Sequence, residues 1–178
     1  MNGLSEFHAP DGQVLSKTFF CDGKREGEAY FYYLSGQLFS LQNFHDGVWD
    51  GKQSYWYEGG QLKTEMFYRA GKLHGEVVLY WESGQLKRRT HYEEGRRHGS
   101  DMLWNEKGLL LDTAEYVHGE PSGLHRHFFD HGVLREEKVY HAPGRFDGKL
   151  WDRTGRLIWE GSWKKDGRYV EKKHDPSS

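Results

Sequence analysis

Glycines recur at a fixed spacing along almost the whole of this 178-residue chain. One set is spaced by 24 residues, with last intervals of 25 and 23, and two further sets share its register. The three sets are Gly23, Gly47, Gly71, Gly95, Gly119, Gly144 and Gly167; Gly27, Gly51, Gly75, Gly99, Gly123 and Gly148; and Gly12, Gly36, Gly60, Gly84, Gly108, Gly132 and Gly155. Such self-similarity is typical of one supersecondary unit copied in series. The chain is therefore predicted to be a repeat protein that works by binding.

Each repeat is predicted to be a β-hairpin. Two runs of about seven residues, rich in aromatic and β-branched types, are closed off by glycine with Ser, Asp or Asn, which is typical of strands between turns. Ser35-Gly36 and Ser83-Gly84 place a residue that tolerates positive φ at the hairpin tip. The Gly-x-x-x-Gly segment, such as Gly71 to Gly75, is predicted to make the return connection.

Three columns of large apolar residues recur with the repeat. The first aromatic column is Tyr32, Trp56, Tyr80, Trp104, Phe128 and Trp151; the leucine column is Val14, Leu38, Leu62, Leu86, Leu110, Leu134 and Leu157; the second aromatic column is Phe20, Phe44, Tyr68, Tyr92, Tyr116, Tyr140 and Trp163. The leucine and second aromatic columns are an even number of residues apart, so they share a sheet face. The face of the first aromatic column depends on the length of the tip loop and stays open.

The sequence therefore predicts an all-β fold, an elongated, twisted antiparallel β-meander of tandem hairpin repeats of about 24 residues. Residues 1–11 are predicted to be an N-terminal lead-in. Residues 12–168 are predicted to be a single array of a half-repeat and six hairpin units. Residues 169–178 are predicted to be a charged tail, with Pro176, that caps the last strand against further strand addition.

Phrases in the repeats resemble the MORN repeat variant, as found in the bacterial YwqK family of antitoxins. They are Tyr80-Trp-Glu-Ser-Gly-Gln-Leu-Lys87, Tyr92-Glu-Glu-Gly-Arg-Arg-His-Gly99 and Tyr57-Glu-Gly-Gly-Gln-Leu-Lys63. The more familiar MORN pattern, Tyr-x-Gly-x-Trp, is approached only by Trp159-Glu-Gly-Ser-Trp163, whose glycine makes room for the flanking rings. The resemblance implies a hairpin array and an antitoxin role, and the departure argues against the membrane roles associated with MORN proteins.

Composition argues against several classes of function. The formal net charge is −2, so no global positive field attracts a nucleic acid. The first ten residues lack a cationic start and an apolar run, and no stretch approaches a membrane span, which predicts a cytoplasmic location and makes membrane binding the weaker expectation. A single cysteine, Cys21, agrees with a reducing compartment. No cofactor is expected.

Histidines crowd one stretch of the chain, between His118 and His141. On a strand, His125 and His127 point the same way, a spacing that can hold a transition metal with a third ligand. In other repeats these positions hold Gln53 and Tyr55, which favours solvated or stacking histidines over a metal site, although the alternative of a metal-dependent enzyme stays open. Motifs for nucleophilic or phosphate chemistry do not occur, so the chain is not expected to be an enzyme.

Charge is distributed unevenly along the array. From Gln61 to Gly99 there are eight Lys or Arg against five Glu, and from Ser100 to Glu120 one Lys against five acidic residues. Arg, Tyr and Trp dominate binding hot spots. The residues predicted to bind a partner are Tyr80, Trp81, Lys87, Arg88, Arg89, Tyr92, Arg96 and Arg97. With the resemblance, they predict an antitoxin or immunity-type protein that neutralises a toxin; the alternatives are a MORN-type scaffold and solvated faces without a binding role. The sequence does not predict the oligomeric state.

Overall fold

A computed structural model describes residues 2–174, so Met1, Pro176 and the rest of residues 175–178 lie outside the description. Residues 2–174 form β-strands joined by turns, and they divide into two compact units. Unit 1 comprises residues up to Leu86 together with Tyr92–Arg96, and unit 2 comprises Lys87–His91 with the residues from Arg97 onward. Each is an antiparallel meander in which strands pair in chain order. The predicted all-β class of tandem hairpins is confirmed.

Unit 1 is built on eight strands and the ends of two more. The eight are β1 (Gly3–His8), β2 (Val14–Cys21), β3 (Lys24–Tyr32), β4 (Leu38–His45), β5 (Val48–Trp49), β6 (Gly51–Trp56), β7 (Leu62–Arg69) and β8 (Lys72–Tyr80). The short β5 pairs only with β4, and β6 follows β4 in the order.

Unit 2 contains most of the remaining strands. They are β9 (Leu86–Glu93) and β10 (Arg96–Trp104), whose end residues count with unit 1, then β11 (Leu110–Val117), β12 (Glu120–Phe128), β13 (Leu134–Ala142), β14 (Arg145–Trp151), β15 (Leu157–Trp163) and β16 (Tyr169–Lys173).

The hairpin tips are three-residue loops. Between β3 and β4 the amide of Gly36 donates to the Tyr33 carbonyl at 2.9 Å, and the amide of Tyr33 donates to the Gln37 carbonyl at 2.9 Å. Gly36 has a φ of +85°, as the αL position after such a turn requires. The same bonds recur at the other tips, which confirms the prediction of positive φ at the tip glycine.

The return connections are two-residue turns. Asp22 and Gly23 both have positive φ, at 50° and 80°, and lie between the paired residues Cys21 and Lys24. Positive φ at both central positions defines a type I′ turn, whose twist matches the flanking strands. The prediction that the whole Gly-x-x-x-Gly segment makes this connection was wrong. Only its first glycine is in the turn, because a two-residue type I′ loop already closes the hairpin and the next residues are in a strand.

The register at the tips places the first aromatic column on the same face of the sheet as the leucine column. Each of its members for which the pairing is described lies directly opposite a member of the leucine column. The pairs are Tyr32 with Leu38, Trp56 with Leu62, Trp104 with Leu110, Phe128 with Leu134 and Trp151 with Leu157. In every case the register shifts at that pair, so a bulge beside the tip decides the pairing. Strand alternation alone cannot predict it.

A second irregularity lies near the return turns, and a buried glutamine compensates for it. Gln53 has no exposed surface. Its side chain accepts a hydrogen bond from the Asn43 amide at 3.0 Å and donates to the carbonyls of Asn43 and Gly51 at 2.9 and 3.3 Å. Because β4 pairs with β6 only through Ser40 and Leu41, this amide substitutes for missing ladder bonds. The backbone polar groups are thereby satisfied, as buried groups must be.

His125 takes the corresponding place in unit 2. Its Nε2 donates to the Glu115 carbonyl at 2.8 Å, where the pairing of β11 with β12 shifts register. Only 7% of the residue is exposed. His125 and Gln53, which align in the repeat, therefore have the same structural role: each side chain donates to a backbone carbonyl of the preceding strand in the sheet.

Successive return turns are joined by two hydrogen bonds, which we call the turn clamp. In unit 1 the amide of Asp46 donates to the Glu26 carboxylate at 2.8 Å, and the amide of Gly47 donates to the Arg25 carbonyl at 2.9 Å. Ala70 donates to Asp50 in the same way, at 3.0 Å. The polar column that includes Glu26 and Asp50 is thus a set of side-chain acceptors for the next turn.

Both ends carry strands that the sequence pattern does not predict. β1 lies in the segment expected to be a lead-in, and Asn2 accepts a hydrogen bond from the Asp22 amide at 2.5 Å, as in a turn clamp. β16 lies in the segment expected to be a capping tail, and it pairs with β15 from Tyr169 onward. Tyr169 packs on Trp163, with ring centroids 5.4 Å apart, so an aromatic contact supports a strand among charged residues.

Ala70→Asn is expected to stabilise the protein. Ala70 is the first residue of a type I′ turn and has a φ of 47°, which costs an L-residue free energy that asparagine largely avoids. We expect the free energy of unfolding to rise by about 0.5 to 1 kcal/mol in urea denaturation. Ala142→Asn, at the end of β13, serves as the control and should bring no gain. Equal gains from both variants would contradict this account.

The glycine in the last repeat makes room for rings, as predicted for Trp159-Glu-Gly-Ser-Trp163. A Cβ on Gly161 would lie 2.7 Å from Cζ2 of Trp159 and would also collide with the Tyr169 hydroxyl. Gly161→Ala should therefore lower the free energy of unfolding by about 1 to 3 kcal/mol, since an extra methyl in a packed site forces rings apart. Thermal denaturation measures this, with Ser162→Ala as a neighbouring control whose melting temperature should stay close to that of the parent.

Candidate partner-binding surface

A buried carboxylate in unit 2 accepts hydrogen bonds from two arginine side chains. Asp101, on β10, is 5% exposed. Arg88 donates to it through Nε at 2.8 Å and through Nη2 at 2.6 Å, and the Thr90 hydroxyl donates at 2.8 Å. Arg97 donates through Nη1 at 3.2 Å. The two arginine side chains remain 39% and 41% exposed, so this Asp101 cluster presents two guanidinium groups at the surface around one buried carboxylate.

The cluster determines the protonation state of Asp101. Burial raises the pKa of its carboxyl, but the hydrogen bonds from Arg88 and Thr90 and the charges of Arg88 and Arg97 outweigh burial, so the pKa lies below its usual value. Asp101 is therefore ionised at neutral pH, and with its two arginines the cluster has a net charge of one positive unit.

Aromatic rings continue from the cluster along the sheet. The Arg97 guanidinium lies 4.8 Å from the Tyr116 ring centroid, and its Nη1 donates to the Tyr116 hydroxyl at 3.0 Å. His125 is next, 5.4 Å from Tyr116 and 4.6 Å from Tyr140, and Phe146 lies 5.3 Å beyond Tyr140. We call Arg97, Tyr116, His125, Tyr140 and Phe146 the aromatic row. It contains two members of the second aromatic column and forms a row of rings in edge-on and tilted contact across the sheet, with His125 buried between Tyr116 and Tyr140.

Strand alternation separates the four predicted residues of unit 2. Arg88 and Arg97 meet at Asp101, as described. Lys87 and Arg89 lie one residue either side of Arg88 on β9, so their side chains leave the opposite face of the sheet. A surface on either face can therefore include only part of the predicted basic cluster.

The other four predicted residues belong to unit 1 and lie at two ends of a hairpin. Tyr80 ends β8 and its carbonyl accepts a hydrogen bond from the Tyr57 hydroxyl at 2.9 Å. Trp81 begins the tip loop, where its carbonyl accepts the Gly84 amide at 2.8 Å. Tyr92 lies near the return turn on β9, and Arg96 begins β10 on the other side of that turn. The six residue steps from Leu86 to Tyr92 span about 20 Å of strand, so Tyr80 and Trp81 lie far from Tyr92 and Arg96.

The histidines expected to stack or be solvated have specific partners. His125 donates to a backbone carbonyl and contacts Tyr116 and Tyr140. His127 lies between two carboxylates, with Nδ1 hydrogen-bonded to Asp112 and Nε2 3.5 Å from Glu136. Because the two carboxylates approach opposite edges of the ring, they do not converge with His127 on one coordination point.

Asp101 is a residue of this surface that the sequence pattern did not indicate. Its position in the repeat is the one that holds Gln53 and His125, both buried and polar. The same position holds Ala29 and Val77 in other repeats, so the column is polar only in part, and the partners of Asp101 depend on register.

The fold and the surface together define a tandem hairpin repeat protein with a partly basic, aromatic sheet face. Residues 25–46, 49–70 and 73–94 match the family model described as MORN repeat variant. These three stretches are similar to MORN repeats of the variant type, and the predicted resemblance to MORN repeats is confirmed at this level. No curated protein matches the sequence.

Among solved structures, one similarity is to a chain in the crystal structure of TcdB2-TccC3. The alignment has 13% sequence identity and a TM-score of 0.21, and it covers 93% of the present chain. The chain spans 12% of the length of that structure's chain. In residues 2–174 the structure has no helix of the length and apolar character needed to cross a membrane.

Proposed function

We propose that this protein binds a partner protein through the face that carries the Asp101 cluster and the aromatic row, and that it neutralises this partner as an antitoxin or immunity-type protein does. The observation that supports binding is the arrangement of Arg97, which is held by Asp101 and stacked on Tyr116. A side chain already fixed in this way loses little conformational entropy when it binds. Arginine and tyrosine are also among the residues that dominate interface energetics.

The antitoxin role is inferred from the resemblance to the YwqK family. The match to MORN repeats supports the broader role of a binding scaffold. The two roles differ in the number and nature of partners. An antitoxin, acting in the cytoplasm, has one stoichiometric partner that harms the cell when produced alone. A scaffold has several partners, none of which is toxic by itself.

Affinity purification from the native cells tests the proposal. The parent protein and two variants, Arg97→Gln and Arg89→Gln, are captured in parallel and the bound proteins are identified. Arg89 provides the control because it lies on the opposite face from Arg88. We expect one partner, retained by Arg89→Gln and reduced about tenfold with Arg97→Gln. Each captured protein is then expressed alone.

Growth arrest by that partner, relieved by co-expression of the parent protein, is the result expected of an antitoxin. Several non-toxic partners would replace the antitoxin role with that of a scaffold. Capture that is insensitive to Arg97→Gln but lost with Arg89→Gln would move the binding surface to the other face.

A further inference from the structure

We infer that the aromatic row is a docking site for an extended segment of a partner protein that carries a carboxylate beside an aromatic or large apolar side chain. The carboxylate is placed at the Arg88 and Arg97 end of the row. The inference rests on the proposed function, which already gives a protein partner and this face. It adds the direction in which the segment lies and the side-chain types that are recognised.

Charge complementarity selects the carboxylate. Arg88 and Arg97 both bind the single carboxylate of Asp101, and about two fifths of each arginine side chain is exposed. Arginine presents a planar fork of donors that matches a carboxylate. Arg97 uses Nη1 for its hydrogen bonds to both Asp101 and Tyr116, so its plane is fixed before a ligand arrives.

The distribution of other charges on this face gives the segment a direction. Asp112 and Glu136 flank His127, closer to the hairpin tips than Asp101, and Lys138 is paired with Glu136 at 2.9 Å. An incoming carboxylate finds Lys138 and His127 already in contact with these acidic groups. It is attracted to the Arg97 end, on the side of the return turns.

The rings provide the apolar part of the site. His125 contacts the rings of Tyr116 and Tyr140, and Tyr140 contacts Phe146. Lys138 lies 5.1 Å from the Phe146 ring centroid. Tyr116, Tyr140 and Phe146 are partly exposed, whereas His125 is only 7% exposed. A side chain laid across this row gains ring contact area, and aromatic pairs contribute about 0.5 to 1.5 kcal/mol beyond area burial.

An anionic membrane is a less suitable occupant. Binding of acidic lipids is typical of about four to eight clustered basic residues. Lys87 and Arg89 face away from Arg88, so this face gathers fewer basic groups than the sequence cluster contains.

The test measures binding of defined probes by isothermal titration calorimetry. The main probe is a copolymer of glutamate and tyrosine, compared with polyglutamate, a copolymer of lysine and tyrosine, inorganic phosphate, and vesicles of phosphatidylserine in phosphatidylcholine. We expect the glutamate–tyrosine copolymer to bind most tightly. Arg97→Gln should weaken it about tenfold, and Arg89→Gln should change it by less than about twofold.

A second variant separates binding from folding, because Arg97→Gln removes a partner of Asp101. Arg97→Lys keeps the charge beside Asp101 but loses the planar fork and the stack on Tyr116. With a melting temperature close to that of the parent, it should still weaken the probe by several-fold. Parental affinity in this folded variant would overturn the site.

Outcomes with the other probes are equally decisive. Preference for vesicles or for the lysine–tyrosine copolymer would overturn the assignment of an acidic protein segment. If cells yield a toxic partner whose capture does not depend on Arg97, the antitoxin role is supported, but the proposed binding face and this docking site are both wrong. If the copolymer binds in an Arg97-dependent way but no protein partner is captured, the result supports the docking site and contradicts the antitoxin role.

Discussion

Gln53→Leu should lower the free energy of unfolding by about 3 kcal/mol or more, since each buried polar group left without a partner costs about 1 to 3 kcal/mol. The substitution keeps a similar volume but leaves the Asn43 amide and the Gly51 carbonyl without the side-chain bonds they have now. The Asn43 carbonyl also loses the bond from Gln53 but keeps the one from the Asp50 amide, at 3.0 Å. Urea denaturation followed by circular dichroism measures the change.

Two further variants give this prediction its controls. Gln61→Leu makes the same chemical change at an exposed tip and should have little effect. Gln53→His copies His125, whose Nε2 donates to the equivalent carbonyl in unit 2, and should lose less than half as much stability as Gln53→Leu. A Gln53→Leu variant as stable as the parent would show that the amide does not replace ladder bonds.

Asp101→Asn should destabilise the protein at neutral pH by about 2 kcal/mol, within the range measured for hydrogen bonds to charged groups. The amide retains an acceptor oxygen but removes the charge that holds Arg88 and Arg97. Because both arginines are partly exposed, water compensates for part of the loss, and the larger costs of fully buried ion pairs do not apply. Glu106→Gln, on an exposed tip, is the matched control.

This difference should disappear in acid. The pKa of Asp101 is lower in the folded protein than in the unfolded chain, so its contribution to stability is present above the unfolded value of about 4 and is lost as the pH falls through the folded value. Other carboxylates also titrate there, so the informative quantity is the gap between parent and variant. A gap between parent and Asp101→Asn that is the same at neutral and acidic pH would contradict the role of the charge.

The repeat pattern predicted much of the fold because turns and apolar columns are local. Tip glycines such as Gly36 indicate positive φ, and the leucine column predicts where the strand after each tip begins. The position of Tyr32 opposite Leu38 could not be predicted, since a bulge of one residue decides it. β1 and β16 were missed because neither has the apolar residues of a full repeat, and pairing with a neighbouring strand supplies what the local sequence lacks.

The surface was less predictable than the fold. A run such as Lys87-Arg88-Arg89 forms one cluster in sequence and two in space, because successive side chains leave opposite faces. Arg88 and Arg97 both contact Asp101, which lies thirteen residues after Arg88 and is reached only through strand pairing. A contact of this kind needs the register of several strands, which one sequence does not specify.

The turn clamp also bears on how such a chain can change its length during evolution. Asp46 and Gly47 are held by Glu26 and Arg25, so each return turn depends on residues one repeat earlier and on nothing farther away. Deletion or duplication of one whole period inside a unit leaves every remaining clamp with a partner, whereas a change of a few residues breaks one. Recombination between repeats can therefore vary the extent of the sheet and reposition a binding face while each junction remains intact.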